Sequence, residues 1–261
     1  MTTSTNAAAT GTIAALYRYP VKSMQGTTEA TLTVTSTGVG GDRSWGLLDL
    51  ATDRLASAKR FSALLAATGG DGVVTLPGGT EVDLTDPGAD AALSAWLGRD
   101  VRVVRAPDSV GLHYQMTFDP PDDDAELVDI PVPTGTLVDL AALHLCTTAT
   151  LAHCAASRPD LDWDVRRFRP NVVVDLDAPP FAEDGWVGRE LHLGSEVVLR
   201  VLGPTVRCAM PLRAQPGGLS RQPTLTAAME ALNTRTPNHL GIYLEVVTPG
   251  AIAVGDVVTL G

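Results

Sequence analysis

The sequence predicts a mainly β protein with peripheral helices, of the α+β class, organised around a barrel-like core. Three observations favour this class. Many short runs of aliphatic, aromatic and β-branched residues are separated by Gly and Pro turns. Few segments have helical periodicity, and no internal repeat or heptad pattern is present. Many short strands with few helices are typical of sheets that close into barrels.

The first half of the chain alternates strands and turns. Pro20 ends the first predicted strand, a glycine-rich turn at 38–42 ends the second, and Pro77-Gly78-Gly79 joins a predicted hairpin. Gly98 is a typical helix-ending residue. The predicted strands are 11–19, 27–35, 43–50, 73–76, 81–84 and 101–105, and the predicted helices are 56–67 and 90–97. An acidic segment at 120–129 reads as a solvated loop or linker.

A second unit begins near Leu137. Thr147 or Thr148 can cap a helix that runs to about Ser157, and three valines after Asn171 predict a buried strand within 168–175. A hairpin is expected across Gly194-Ser195. The other predicted elements are strands at 143–146, 189–193, 196–202, 240–247 and 257–260 and a helix at 223–232.

Composition excludes several classes of function. The net charge of −11 argues against nucleic acid or an anionic membrane surface as the main partner. No run approaches the roughly 18 apolar residues of a membrane helix, and the small polar residues 1–10 predict a disordered terminus rather than a signal peptide. We therefore expect a cytoplasmic protein. Three cysteines without a CxxC pair argue against a disulfide framework or structural zinc.

The segment Val206-Arg207-Cys208-Ala209-Met210-Pro211 has unusual local chemistry. A thiolate is both a nucleophile and a soft metal ligand, and a neighbouring cation favours the thiolate form. The alternative interpretation is a small buried apolar residue, because free cysteine is often simply buried.

Five separated motifs together resemble one family. They are Leu16-Tyr17-Arg18-Tyr19-Pro20-Val21-Lys22-Ser23, Gly41-Asp42-Arg43-Ser44-Trp45, Arg167-Phe168-Arg169-Pro170-Asn171-Val172-Val173-Val174, Arg207-Cys208, and Gly250 with Val254-Gly255-Asp256. Their order resembles that of proteins with a MOSC N-terminal β-barrel domain followed by a MOSC domain, named for the C-terminal domain of molybdenum cofactor sulfurases. The resemblance implies an N-terminal domain at 11–135 and a MOSC domain at 136–261. The two-domain type includes the mitochondrial amidoxime-reducing component and bacterial relatives.

This resemblance implies a site for the molybdenum cofactor, a pterin with a terminal phosphate and a dithiolene-bound metal. Cys208 would be the metal ligand and the catalytic residue. Cationic, hydroxyl and amide side chains would hold the anionic tail and the pterin edge. The implied cofactor-binding residues are Lys22, Ser23, Arg43, Thr147, Thr148, Arg169, Asn171, Arg207 and Tyr243.

Each assignment has a structural alternative. Lys22 would be a surface charge, Arg43 would pair with Asp42 or Asp49, and Thr147 would be a plain helix cap. Asn171 would cap a turn and Tyr243 would be a core aromatic. Arg166 and Arg167 are better explained as solvated side chains or as partners of Asp162 and Asp164, and Cys146 and Cys154 as buried fillers.

The implied activity is reduction of small N-hydroxylated compounds, such as amidoximes and hydroxylamines, with electrons from a separate donor protein of ferredoxin, flavin reductase or cytochrome type. Two alternatives stay open. One is a cofactor carrier or sulfur-handling module without turnover, and the other is a cysteine hydrolase that uses Cys208 with His239. The sequence departs from the amidoxime-reducing type at 209–212, where Ala-Met-Pro-Leu replaces a Thr-Thr-x-Asp run, so the substrate is less certain than the metal.

Overall fold

The computed structural model describes residues 10–117 and 125–261. The predicted disordered terminus therefore lies outside the described residues, except for Thr10, which begins the first strand. The run Asp122-Asp123-Asp124 also lies outside them. Among the described helices, none has both the length and the apolar character needed to cross a membrane.

The described strands fall at short intervals along the whole chain. In chain order they are β1 (Thr10–Arg18), β2 (Thr27–Glu29), β3 (Thr31–Thr35), β4 (Gly38–Val39), β5 (Trp45–Asp49), β6 (Arg54–Leu55), β7 (Thr68–Gly69), β8 (Val73–Thr75), β9 (Glu81–Asp83), β10 (Val101–Arg105), β11 (His113–Met116), β12 (Val128–Pro131), β13 (Leu143–Thr147), β14 (Val172–Leu176), β15 (Glu190–Leu193), β16 (Val197–Val206), β17 (His239–Thr248), β18 (Gly250–Ala253) and β19 (Val257–Leu260).

The helices are shorter and peripheral. The α-helices are α1 (Ala89–Leu97), α2 (Thr148–Ser157) and α3 (Leu225–Leu232), and short 3₁₀ turns occupy Ser62–Ala66, Ala106–Asp108, Val165–Arg167, Ala182–Gly185 and Met210–Leu212. Gly98 ends α1 in the left-handed conformation, as predicted. The Thr147 hydroxyl accepts a hydrogen bond from the Thr150 N–H and caps α2.

Seven strands form a closed barrel, which confirms the predicted fold class. The order is β14, β13, β17, β16, β15, β19 and β1, and β1 pairs back onto β14 to close the ring. β13 and β14 are parallel, whereas the other pairs are antiparallel. Closure leaves no unpaired barrel edge, so the backbone polar groups of each strand are satisfied by two neighbours.

Alternation of apolar residues explains the barrel interior. Along β1, Ile13 and Leu16 are almost fully buried, and β14 contributes Val172, Val174 and Leu176 to the same core. A bulge between Ile13 and Ala15 shifts the β1–β14 register, a device that bends a strand so that a sheet can curve.

The remaining sheets lie mostly in the first half of the chain. They have the orders β10-β5-β6-β11-β12, β7-β8-β9 and β18-β3-β4. A second core lies here, built around residues such as Val21, Met24, Leu64, Leu65 and Leu93. Two strands pair with strands from the other half of the sequence. β1, from the first half, belongs to the barrel, and β18, from the second half, pairs with β3. The sheets therefore interlock the two halves.

The prediction of a helix at 56–67 was wrong for its first half. Only Ser62–Ala66 is helical, as a 3₁₀ turn that buries Leu64 and Leu65. Before it, the N–H groups of Arg60 and Phe61 both bond to the Ser57 carbonyl, which closes a tight turn. This turn directs Lys59 inward to an ion pair with Asp139, a long-range contact that local periodicity does not encode.

Two other predictions need correction. The strand predicted at 27–35 is divided at Ala30 into β2 and β3, because β2 pairs with β1 whereas β3 pairs with β18 and β4. The end of the loop predicted at 120–129 belongs to a strand, because β12 begins at Val128. β12 pairs with β11, a strand that was not predicted.

Candidate functional site

A cleft lies at one end of the barrel, where several strand ends meet. β1 and β16 run toward it, whereas β13, β14 and β17 begin beside it, so loops from distant parts of the sequence converge there. The cleft is lined by Lys22, Ser23, Arg43, Val138, Asp139, Leu140, Ala141, His144, Arg167, Phe168, Arg169, Asn171, Thr205, Val206, Arg207, Cys208, Met210, Pro211 and Tyr243.

The structure brings together eight of the ten predicted site residues. These are Lys22, Ser23, Arg43, Arg169, Asn171, Arg207, Cys208 and Tyr243. Thr147 and Thr148 do not line the cleft. Thr147 caps α2 and donates a hydrogen bond to buried Glu183, and Thr148 donates one to Asp175. Both hydroxyls are instead engaged with carboxylates beside α2, a helix that contacts β13, β14 and α3.

Lys22 is buried rather than a surface charge. Its Nζ donates to the Leu137 carbonyl at 2.8 Å and forms a short ion pair with Asp139. Lys59 Nζ binds the other oxygen of the same carboxylate at 2.8 Å. Both ammonium groups lie over the Tyr114 ring, at 4.8 and 4.1 Å from its centroid. The two lysines attract the Asp139 charge and hold the pKa of this carboxyl well below its usual range, even though burial opposes this shift.

Arg43 forms an ion pair with a carboxylate, whereas Arg169 forms none among the described residues, and both guanidinium groups contact the same aromatic ring. Arg43 pairs with Asp42, while Asp49 pairs with Arg99 instead. Both Arg43 and Arg169 lie within 5 Å of the Tyr19 ring centroid, at 4.9 and 4.2 Å. Burial, reinforced by the charge of Arg43, lowers the pKa of Arg169 to about 10.

Asp42 connects the N-terminal loop to the central motif. Its carboxylate accepts from the Tyr19 N–H at 2.7 Å and from Asn171 Nδ2 at 3.1 Å, in addition to its pair with Arg43. Asn171 Oδ1 accepts from the His144 N–H at 3.3 Å. The Asn171 amide therefore forms hydrogen bonds within the protein and links two segments that line the cleft. This is more than the turn cap that the sequence suggested.

Arg207 contacts protein groups on three sides. Its Nε donates to the Leu240 carbonyl at 3.0 Å, its Nη1 donates to the Phe168 carbonyl at 3.1 Å, and its Nη2 lies 2.6 Å from His144 Nε2. Because a guanidinium can only donate, His144 Nε2 accepts and the imidazole is neutral. Burial, reinforced by Arg207, lowers the pKa of His144 well below its usual value.

Sequence reasoning missed His144. The available signal was an imidazole within the apolar run Leu143-His144-Leu145-Cys146, because a buried polar ring requires a partner. It faces Tyr243 across the β13–β17 pair, with ring centroids 6.1 Å apart. Tyr243 lines the cleft and is only partly buried, so it is not a plain core aromatic.

Several lining residues have left-handed backbone. Among the described non-glycine residues, those with positive φ are Ser23, Arg43, Asp53, Arg169, Phe181 and Asn238. Three of them, Ser23, Arg43 and Arg169, line the cleft. Such conformations cost about 1 kcal/mol or more each and concentrate at functional sites. At these three residues the left-handed backbone makes a tight turn, and the side chains of the turns line the cleft.

The loop after Cys208 is held by Arg167, which is 1% exposed. Its guanidinium donates to the carbonyls of Pro211, Arg213 and Ser220 and lies 3.4 Å from Asp162. The pairing with an aspartate is confirmed, whereas the solvated position is wrong. Arg167 thereby fixes the loop that forms one wall of the cleft.

Cys208 differs from the other cysteines in exposure. Cys146 and Cys154 are buried, as predicted, whereas Cys208 is half-buried and lines the cleft. Burial raises the pKa of the Cys146 thiol to about 12. Of the departing segment 209–212, Met210 and Pro211 line the cleft, while Ala209 lines a neighbouring cavity with Lys59.

The donor set fits an anionic, hydrogen-bonding ligand such as the pterin cofactor. Among the described residues, neither Arg169 nor Arg207 has a carboxylate within ion-pair distance. Thr205, 2% exposed, lines the cleft with a hydroxyl that finds no hydrogen-bond partner in the described part of the chain. Buried polar groups normally have partners, so the Thr205 hydroxyl and the two guanidinium charges suit an anionic ligand that forms hydrogen bonds.

The fit extends to the metal. Within residues 10–117 and 125–261, no group of three or more His, Cys, Asp or Glu side chains is placed to hold a metal ion. Molybdenum carried by a dithiolene would need one further protein ligand, and the Cys208 thiol places a soft donor in the cleft.

Comparison with known families agrees with the motifs. The family model of the MOSC domain matches residues 134–259, and that of the MOSC N-terminal beta barrel domain matches residues 10–109. The chain belongs to this family of MOSC domain proteins, which is associated with molybdenum cofactor binding.

Comparison with individual proteins gives only distant likenesses. No curated protein matches the chain. Among solved structures, the chain is similar to the YuaD protein from Bacillus subtilis, at 12% identity over 96% of this chain and 95% of that chain, with a TM-score of 0.45. It is also similar to YiiM from Geobacillus stearothermophilus, at 15% identity over 52% of this chain and 67% of that chain, with a TM-score of 0.34.

Proposed function

We propose that this protein is a molybdenum-cofactor-dependent reductase of small N-hydroxylated compounds that receives its electrons from a separate donor protein. The observation that carries the proposal is the convergence of Cys208 with two guanidinium groups, of Arg169 and Arg207, that no carboxylate in the described part of the chain neutralises. A net charge of −11 makes this local excess of positive charge unusual.

The residues present would divide the cofactor between them. Cys208 would be the protein ligand of the metal, and the charges of Arg43, Arg169 and Lys22 would hold the phosphate-bearing tail. Thr205 offers an unpartnered hydroxyl to the pterin edge. When bound, the cofactor supplies the two-electron redox chemistry, and the protein supplies anchoring and access.

Arg207 and Asn171 act mainly by positioning. Their side chains are engaged with carbonyl groups, with His144 and with Asp42, so they hold the cleft in shape while Arg207 adds positive charge. Leu140 and Val206, both exposed at the cleft, provide an apolar entrance, which suits an uncharged organic substrate.

The cysteine hydrolase alternative loses support. His239 is absent from the described residues that line the cleft, and its Nδ1 lies 2.7 Å from the Pro237 carbonyl. The histidine that lines the cleft, His144, is bound to Arg207 through Nε2 and is therefore not free to act as a base.

The test is purification from a host that makes the cofactor. Molybdenum is measured by mass spectrometry, the pterin by fluorescence after oxidation, and turnover by reduction of benzamidoxime with reduced methyl viologen. We expect about one molybdenum per chain and measurable turnover, with both lost in Cys208→Ser. A protein without molybdenum or pterin would refute the proposal, and a loaded protein without turnover would indicate a carrier.

A further inference from the structure

The two lysines of the chain share one carboxylate. Lys22 Nζ binds Asp139 Oδ1, and Lys59 Nζ binds Asp139 Oδ2 at 2.8 Å. Both ammonium groups also lie over one aromatic ring, that of Tyr114. Lys22 and Asp139 line the cleft, whereas Lys59 lines the neighbouring cavity. The charge of Lys59 is therefore held beside the cleft by the carboxylate that it shares with Lys22.

The charges of Lys22, Asp139 and Lys59, the lysine–aspartate trio, do not balance. Two ammonium groups and one carboxylate leave one positive charge in excess. The lysine side chains are only 5% and 4% exposed, so water screens this charge weakly, and a buried charge without a partner is costly. The Tyr114 ring attracts both ammonium groups but carries no counter-charge. The trio therefore favours an anion.

The excess positive charge disfavours the charged form of Lys22. Burial lowers the pKa of Lys22, and the charges of Lys59 and Arg43 lower it further. Asp139 opposes this shift. Arg43 is itself paired with Asp42. An anion beside Lys22 would offset the lowering and stabilise the ammonium form.

The Lys22 ammonium is oriented so that one donor remains for a ligand. An ammonium carries three N–H donors. Among the described residues, the Leu137 carbonyl accepts from one at 2.8 Å and Asp139 accepts from another. The Tyr114 ring packs on the same group, with its centroid 4.8 Å from Nζ. Because Lys22 lines the cleft, the remaining N–H is available there, and these contacts fix the direction of an otherwise flexible side chain.

We propose that Asp139 and Tyr114 are positioning residues for Lys22, and that Lys59 keeps positive charge at the cleft by sharing the Asp139 carboxylate. The anion that this charge attracts is the phosphate of the pterin cofactor, so the inference rests on the proposed function. Without Lys59, Asp139 would neutralise Lys22, and the trio would offer no net charge to a phosphate. Lys59 therefore contributes to anion binding through its charge rather than by contact.

The competing explanation is structural, in which the trio only ties the two halves of the chain together. Its loss would then lower stability without changing the affinity for anions. Lys59→Met removes the charge of Lys59, whereas Lys59→Arg keeps it. The double variant Lys59→Met/Asp139→Asn returns the trio to one net positive charge, and asparagine keeps an acceptor oxygen. Arg60→Met is the matched control, because Arg60 is a cation of the same cavity but bonds to Gln115.

The first experiment titrates the full-length, cofactor-free protein with inorganic phosphate. Because the chain has only two lysines, [ε-¹³C]lysine labelling gives two side-chain signals, and Lys59→Met identifies the signal of Lys22. We expect phosphate to shift this signal, and Lys59→Met to weaken the phosphate affinity about 10-fold, because a unit charge is lost close to the anion. Lys59→Arg, the double variant and Arg60→Met should bind phosphate within about 3-fold of wild type, because the net charge of the trio is kept. Wild-type affinity in Lys59→Met, or a loss that the double variant does not recover, would overturn the proposal.

The same signal gives a second measurement that depends on no variant. Lys22 of the wild-type protein should titrate below an ordinary lysine, because burial and Lys59 lower its pKa. Bound phosphate should raise this pKa, since an anion favours the ammonium form. A Lys22 pKa that phosphate leaves unchanged would leave only the structural role, whether or not Lys59→Met folds.

The ring and the hydroxyl of Tyr114 are tested separately. The hydroxyl is buried and finds no hydrogen-bond partner among the described residues, so Tyr114→Phe should keep the phosphate affinity. Tyr114→Leu removes the ring face and should weaken binding about 3-fold. Equal affinities in the two variants would contradict the positioning role of Tyr114.

Cofactor content connects the trio with the proposed function. In protein purified from a host that makes the cofactor, molybdenum and pterin content should fall in Lys59→Met and be retained in Lys59→Arg. Full content in Lys59→Met would refute the contribution of Lys59 to cofactor binding. A wild-type protein without molybdenum or pterin would instead refute the proposed function, while the phosphate titration would still test the trio. The two failures are therefore distinguishable.

Discussion

Arg207 donates a hydrogen bond to His144 across 2.6 Å and thereby holds a buried imidazole in its neutral form. Arg207 directly precedes Cys208 on the chain, and His144 faces Tyr243 on the adjacent strand. The contact therefore ties the segment with the proposed metal ligand to the wall of the barrel.

We expect His144 to remain neutral at acidic pH. ¹⁵N NMR should show an unprotonated Nε2 from pH 8 to well below 6.5, and the pKa of His144 should rise in Arg207→Met, because one opposing charge is removed. The folded-state pKa is depressed, so His144 costs stability as pH falls below about 6.5, where the unfolded imidazole takes up a proton. Protonation of Nε2 near pH 6.5 would contradict this arrangement.

Gly241 is required beside the same pair. It has φ of 78°, and a Cβ there would lie 2.5 Å from both His144 Nε2 and the Leu145 carbonyl oxygen. We expect Gly241→Ala to lower the free energy of unfolding by about 3–5 kcal/mol, from left-handed strain together with overpacking. Urea unfolding measures this change.

Gly255→Ala is the matched control for this prediction. Gly255 also has a positive φ, of 92°, but no heavy atom of the described residues lies near its Cβ position. It should cost only about 1–2 kcal/mol. Equal losses in the two variants would show that strain alone, and not the packing against His144, determines the effect.

Arg169 illustrates a conflict between stability and ligand binding. Its folded-state pKa is lowered to about 10, so its charge costs folding free energy at neutral pH, and that cost disappears only as pH rises through 10 toward 12.5. We expect Arg169→Met to raise the free energy of unfolding by about 1 kcal/mol without ligand, and to lower cofactor occupancy at least about 10-fold.

Arg200→Met provides the comparison for Arg169. Arg200 is exposed on the barrel wall, where it pairs with Glu190 and Glu245. Its replacement should change stability by less than about 1 kcal/mol and leave occupancy unchanged. Occupancy is read from molybdenum and pterin content, and stability from thermal unfolding. Full occupancy in Arg169→Met would show that its charge is not needed for the ligand.

Cys208→Ser should separate the metal from the fold. Sulfur replaced by harder oxygen weakens a soft metal site, whereas a half-buried one-atom change should alter stability by less than about 1 kcal/mol. Cys154→Ala is the contrast, because Cys154 is buried among Trp163 and Met229. It should cost about 1 kcal/mol or more and keep the metal. A collapsed melting temperature in Cys208→Ser would place Cys208 in the core.

Glu183 should make the protein less stable as pH rises. The carboxyl is 1% exposed, Oε1 accepts from Thr147 and Thr150, and Oε2 has no hydrogen-bond partner among the described residues. Burial raises its pKa, so stability is greatest below the unfolded pKa and is lost upward through the folded pKa, at up to about 1.4 kcal/mol per unit. Glu183→Gln should remove this slope in urea unfolding between pH 4.5 and 7, and an unchanged slope would contradict the assignment.

The parts of the fold that follow from local chemistry could be predicted. Gly98 ends α1 and Thr147 caps α2 because each uses groups within a few residues. The pairing of β1 with β14 joins positions about 160 residues apart, and the division at Ala30 depends on two different partner sheets. Such pairings depend on non-local contacts, which periodicity does not contain.

The residues of the site also fall into two groups, those that could be predicted from the sequence and those that depend on non-local contacts. The predicted residues that meet were found because they match positions of a known family, whereas Asp139, His144 and Thr205 reach the cleft only through the folded arrangement of the chain. Lys59 had one usable signal, since it is one of only two lysines in the chain. Thr147 misled because a hydroxyl at a helix start is equally suited to capping and to anion binding.

The exchange of β1 and β18 between the halves has a consequence for dissection of the molecule. A chain cut near residue 135 would deprive the barrel of the strand that lies between β14 and β19, and would leave β3 without its β18 neighbour. Both fragments would then present bare strand edges, which recruit other chains. Separate expression should therefore give aggregates, and co-expression of the two pieces should rescue a soluble heterodimer.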